Sequence, residues 1–178
     1  MTCPAMSIAL AWPALALVLE PMSLETLTSE ADLVVRGVVE SVTSRDEDRG
    51  RIVSDAAVRV HEVILGKLDT TTVVVTVPGG EVGNRGQLVP GAPRFSPGDE
   101  VVLFLRPPAG AGVRQTRVPV GLPQGVFYVT RVGPVPIAAQ RFGGVGFGHE
   151  AKPRPPISMS LDDLSRAIKA FRQGETPR

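Results

Sequence analysis

Proline is spread very unevenly along this chain, and that limits what the chain can fold into. Between Pro21 and Pro78 there is none, whereas 14 of the 17 prolines fall from Pro78 onward. Proline removes a backbone donor and clashes with the preceding helical turn, so long helices are excluded from much of the second half. The proline-free stretch is helix-permissive in that respect, but its residues are of the wrong kind. Ile52, Ala56, Val58, Val60 and Ile64 fall on one side of an extended chain, and Asp55, Arg59 and His61 on the other. That alternation is the signature of a half-buried antiparallel strand.

The same reading extends along the chain. Leu33–Val42 is valine-rich and predicts a strand, with Gly37 marking a bulge or bend. Thr43–Gly50 predicts a charged hairpin loop, and Thr70–Val77 a third strand with Val73, Val75 and Val77 facing one way. Asp99–Leu105, Val118–Gly121 and Val126–Val132 predict the remaining strands. Two short helices flank them. Ser23 is placed to cap Leu24–Ala31, with Leu24, Leu27 and Ala31 on one face. Ser160, with Asp163 three residues on, is placed to cap a helix within Ser158–Phe171 that carries Leu161, Leu164, Ile168 and Phe171 and ends at Gly174.

The expected fold is therefore mainly β: a small antiparallel barrel of five to six strands, of the oligonucleotide/oligosaccharide-binding (OB) type, with a short N-terminal helix and a C-terminal helix. A β-sandwich is the alternative. Aromatics are only 4% of the chain, so the core must be mostly aliphatic. The expected organisation is an apolar N-terminal segment over 1–21, a β-barrel domain over 22–133, a Gly/Pro-rich irregular segment over 134–157 and the helix over 158–174.

Ala5–Leu19 is an uncharged apolar run, shorter than the roughly 20 residues a membrane helix needs. It fits the apolar region of a secretory signal peptide, with Ala14-Leu15-Ala16 as a small-x-small cleavage signal, although no Lys or Arg precedes it; cleavage nearer Met22 and an uncleaved anchor are the alternatives. The chain is thus expected to be exported to the periplasm, outer envelope or exterior, with no stable membrane span once the leader is cleaved. Cys3 and Trp12, the single cysteine and tryptophan, would leave with that leader. Disulfides and thiolate chemistry then drop out. No cofactor is expected.

Charge is balanced, 19 Lys and Arg against 18 Asp and Glu, which disfavours a nucleic-acid partner. Only His61 and His149 could act as imidazole bases. A hydrolase using His61 with Asp55 or Ser54 is one reading; a solvated strand face is the plainer one. His149-Glu150 begins like the zinc motif H-E-x-x-H, but Pro153 stands where the second histidine belongs. Gly79, Gly80, Gly83 and Gly86 form a glycine-rich loop without the Lys-Ser/Thr of a phosphate loop. The long Pro78–Gly98 connection is the expected contact surface, with Glu81, Asn84, Arg85, Gln87 and Arg94 as its polar contacts. Phe142 and Phe147 could stack on a ligand from a glycine-rich run, which reads more simply as a linker, and the arginines from Arg106 to Arg154 read as solubilising charges.

The segments S-L-E-T-L, A-D-L-V-V-R-G-V-V, G-G-E-V-G, G-A-P-R-F-S-P-G-D-E-V-V-L-F-L and V-G-L-P-Q-G-V-F together resemble a group of uncharacterised exported bacterial proteins over about 23–130. More distantly, the layout over about 31–105 is similar to netrin-like modules, which include the tissue inhibitors of metalloproteinases. That resemblance implies the barrel. It departs at the N-terminal cysteine and disulfides on which those inhibitors rely. The functional expectation is an exported, non-enzymatic binding module whose partner is another exported protein. A structural envelope protein, with its terminal helix pairing to another chain, is the further alternative.

Overall fold

The computed structural model describes residues 18–108, 116–142, 146–147 and 155–174. His149, Glu150, Arg114, Arg154 and most of the apolar leader lie outside the described residues.

The chain opens with strand β1 (Val18–Leu19) and helix α1 (Leu24–Glu30). The Ser23 hydroxyl caps α1, accepting from the Thr26 amide at 3.0 Å. Strands β2 (Leu33–Asp46) and β3 (Ile52–Leu65) make a long hairpin, and β4 (Thr72–Pro78) follows. Then come β5 (Gly80–Val82), β6 (Arg85–Gln87), β7 (Glu100–Arg106), β8 (Thr116–Pro119), β9 (Val126–Val132) and β10 (Val135–Gln140). Strands β11 (Gly146–Phe147) and β12 (Ser158–Ser160) precede helix α2 (Leu161–Arg172), which Ser160 caps through the Asp163 amide at 3.1 Å.

Eight strands form one mixed sheet in the order β12-β10-β9-β7-β2-β3-β4-β8. Strand β8 also pairs with β7, so the pairings close a ring through β2, β3, β4, β8 and β7. The β4–β8 pairing is parallel. This corrects the expectation of a purely antiparallel arrangement, and the reason is geometric. Strand directions cannot alternate all the way round a closed ring with an odd number of members, so one neighbouring pair must run the same way. The register of β2 against β3 slips between Arg36 and Gly37, where the glycine predicts a bulge.

Two cores lie back to back. Leu33, Val35, Val58, Val75, Val101 and Leu103 belong to the one inside the ring. Leu24, Leu27, Phe104, Phe127, Leu164 and Ile168 belong to the other, between the sheet and the two helices. Successive residues of a strand point to opposite faces, so β7 supplies both: Val101, Leu103 and Leu105 to the ring, Val102 and Phe104 to the helix side. All five are fully buried. The apolar stripe of α2 is consumed by this second core.

Several boundaries differ from expectation. Thr43–Asp46, read as part of the hairpin loop, continues β2 and pairs with Ile52–Asp55. Val135–Gln140, read from its composition as irregular, is a strand that pairs with β9 over six residues. It tolerates Pro136 because the far edge of β10 is covered by β12 only from Ile137 to Ala139, which leaves Pro136 beyond that ladder. Residues 18–21, read with the leader, join the fold. Val18 and Leu19 pair with Gly146 and Phe147. Buried Gln124 donates to the Glu20 carbonyl at 2.9 Å and accepts from the Met22 amide at 2.7 Å. Gln140, also buried, donates to the Gln124 carbonyl at 2.6 Å and accepts from the Ile157 amide at 2.9 Å.

Phe104 meets Phe127 with ring centroids 5.5 Å apart. Replacing it with alanine empties a site that β7 and α1 cannot collapse into without disturbing the ring. Phe104→Ala is expected to cost about 3–5 kcal/mol in chemical denaturation, against less than 1.5 kcal/mol for a volume-conserving Leu103→Met change in the ring core.

Candidate functional site

The Pro78–Gly98 connection is structured. Its first part is the β5–β6 hairpin, turned by Gly83-Asn84. Gly83 has φ +60°, which suits the first central position of a two-residue hairpin turn. The hairpin lies against the distal ends of β2 and β3, where Ser44 and Ser54 stand opposite each other in register. Their hydroxyls are 3.0 Å apart, Ser54 donates to the Gly79 carbonyl at 2.7 Å, and Ser44 accepts from the Glu81 amide at 3.2 Å. Any Cβ at position 80 would collide with both hydroxyls, so glycine is required there by close approach. Gln87 closes the other end, accepting from the Ile52 amide at 2.6 Å.

Beyond the hairpin, residues 88–94 run as a strap to Phe95, which is buried in the ring core. A cleft lies on each side of the strap. The first, about 490 Å³, is bounded by the serine pair, the hairpin and the strap. The second, about 520 Å³, lies between the strap, Tyr128 and Arg141. Leu88 borders both and is 70% exposed.

The five residues expected to make contacts are divided by the fold. Glu81 and Arg94 line the first cleft and are exposed. Gln87 also borders it, but its carboxamide oxygen is committed to the Ile52 amide. Arg85 turns away to form an ion pair with Asp46. Asn84 is exposed at the hairpin turn and does not line either cleft.

The hydrolytic constellation is not brought together. Ser54 is buried and spent on the hairpin clamp. Asp55, on the opposite face of β3, accepts from Arg45 at 2.7 Å and from Thr76 at 2.6 Å. That bond holds the Arg45 guanidinium above its ordinary pKa. His61 is exposed, six residues further along the strand, and an extended chain places it about 20 Å from Asp55. Among the described residues no three His, Cys, Asp or Glu side chains gather as a metal site.

Sequence reasoning missed Tyr128 and Arg141. Tyr128 is the single tyrosine of the chain. Its hydroxyl donates to the Arg94 carbonyl at 2.6 Å, its ring packs on Phe95 at 6.4 Å, and the Arg141 guanidinium lies 4.4 Å above the ring centre. That last contact is a cation–π geometry. The usable signals were a lone tyrosine in the apolar first half of its strand, and the Gly-Asn pair that marks a hairpin turn. Compared with known families and with curated proteins, the chain matches none.

Burial pushes the Tyr128 phenol up from 10.0 to about 12; Asp99 adds to the rise and Arg141 opposes it. The folded value lies above the unfolded one, so the associated stability is intact below pH 10.0 and is lost as pH rises through about 12. The loss amounts to roughly 2–3 kcal/mol. Phenolate absorbance on titration should report this residue alone. Tyr128→Phe is expected to flatten the stability profile in that window while lowering stability at neutral pH by about 1 kcal/mol, through the lost bond to Arg94.

Proposed function

We propose that this protein is an exported, non-enzymatic binding module on a small barrel of the OB type, and that its strap docks onto another exported protein. The observation that carries the reading is Leu88. A large aliphatic side chain 70% exposed, on a strap with a cleft on either side, has the form of an interface anchor. The strap is held at both ends, by Gln87 against Ile52 and by Phe95 in the ring core, so little ordering would be needed on binding.

The barrel reading is supported by the pairing order. Counted along the chain, the five ring strands pair in the order first, second, third, fifth, fourth, around an aliphatic interior. The clefts lie at the third connection of that ring, between β4 and β7. OB-type barrels bind oligonucleotides and oligosaccharides on the second and third strands with the first and fourth connections. Their ligand class therefore does not carry over. The export reading is supported by the Ala5–Leu19 run and its Ala14-Leu15-Ala16 signal. The α2 stripe that a structural envelope protein would use for pairing is engaged by its own sheet.

The test is capture of envelope and culture-supernatant proteins on the full chain, beside a Leu88→Asp variant. The strap residue is exposed, so the variant is expected to keep its melting temperature within about 2 °C of the parent. A species retained by the parent, lost from Leu88→Asp, and binding the purified parent at least tenfold more tightly than the variant would bear the proposal out. Equal binding to both would overturn it.

A further inference from the structure

The second cleft has a chemistry the first lacks. Its strap wall is apolar, from Val89, Pro90 and Pro93, and its opposite side is the Tyr128 ring. Two arginines line it: Arg141, whose guanidinium lies over the Tyr128 ring, and Arg94, which also lines the first cleft. Both are exposed, and among the described residues neither forms an ion pair; a carboxylate, Glu81, lines only the other cleft. Elsewhere the described arginines are largely matched: Arg36 and Arg131 with Glu100, Arg45 with Asp55, Arg59 with Glu40, Arg85 with Asp46, Arg117 with Asp32. Two cations without an ion-pair partner, against the single Asp99 carboxylate that acts on Tyr128, leave a local excess of positive charge on a mostly apolar cleft of about 520 Å³.

We infer that the cleft between the strap, Tyr128 and Arg141 binds a carboxylate carried on an apolar body about the size of one aromatic ring. A guanidinium presents a planar fork of donors that matches a carboxylate. The apolar wall matches the body, and a singly charged group costs less to bring against it than a doubly charged phosphate. The Tyr128 hydroxyl is already committed to the Arg94 carbonyl, which fixes the ring as a wall and ties the strap to it. The carboxylate can belong to a free small acid or to the C-terminus of a polypeptide. This inference does not depend on the docking of a partner through Leu88.

Tyr128 is the only tyrosine, so ring-labelled tyrosine in the full chain gives one set of magnetic-resonance signals from within the cleft. The probes are phenylacetate and its uncharged counterpart phenylacetamide, then a short peptide ending in phenylalanine with a free or an amidated terminus. Phenylacetate is expected to shift the Tyr128 ring signals saturably, and the amide to bind about tenfold more weakly or less. Arg141→Gln and, separately, Arg94→Gln should each weaken phenylacetate about tenfold while the ring signals keep the dispersion of a folded protein. A free-terminus peptide that outbinds phenylacetate assigns the site to chain ends; a small acid that outbinds the peptide assigns it to free acids. Absence of any shift at about 10 mM phenylacetate, or equal binding of acid and amide, would overturn the inference.

Discussion

Strand β7 is the member on which the rest of the molecule leans. From Val101 to Leu105 every side chain is fully buried, alternately inside the ring and under the helices. A strand buried on both faces must be a continuous apolar run, and V-V-L-F-L is one. It pairs with β2, β8 and β9, so it is at once the closing member of the ring and the bridge to the outer part of the sheet. Neither core exists without it. The charged residues at its ends, Glu100 with Arg36 at 2.6 Å and the exposed Arg106, mark where burial stops.

The candidate surface is possible because the ring is closed and its longest connection is pinned to it. Two serines in register hold the β5–β6 hairpin, a glutamine holds the start of the strap, and Phe95 anchors its end. The serines also satisfy the Gly79 carbonyl and the Glu81 amide of the connection, and Gln87 satisfies the Ile52 amide of β3. The result is a fixed rim with one exposed leucine. Loops positioned in this way by a regular scaffold are where binding surfaces are concentrated.

Tyr128 joins the pieces. Its ring contributes to the ring core beside Phe95, its hydroxyl reaches the strap, and its face carries the Arg141 guanidinium. The two clefts are therefore mechanically connected through one side chain, since the Arg94 carbonyl it holds belongs to the segment that separates them. Gln124 and Gln140 play the corresponding structural part on the far side of the sheet, tying residues 20–22 and Ile157 to the body with buried carboxamides.

Local pattern determined the main strands between Leu33 and Val132, though not Thr43–Asp46 or the β5–β6 hairpin, and with them the bulge at Gly37, both serine caps and the aliphatic character of the core, because each depends on residues two to four positions apart. Even the loop that forms the candidate surface was legible as a polar, glycine-rich insertion, with Glu81 and Arg94 among its exposed groups. Other features came only with the tertiary structure. The parallel β4–β8 contact follows from closing a ring of five, which no strand records in its own sequence. Val135–Gln140 became a strand because β9 was there to pair with it, against its proline content. Gln87 and Ser54 became struts, and Tyr128 and Arg141 met over a cleft, because residues far apart in the chain were brought into contact by strand register. Sequence pattern carries the period of a side chain, and only the assembled sheet decides what that side chain faces.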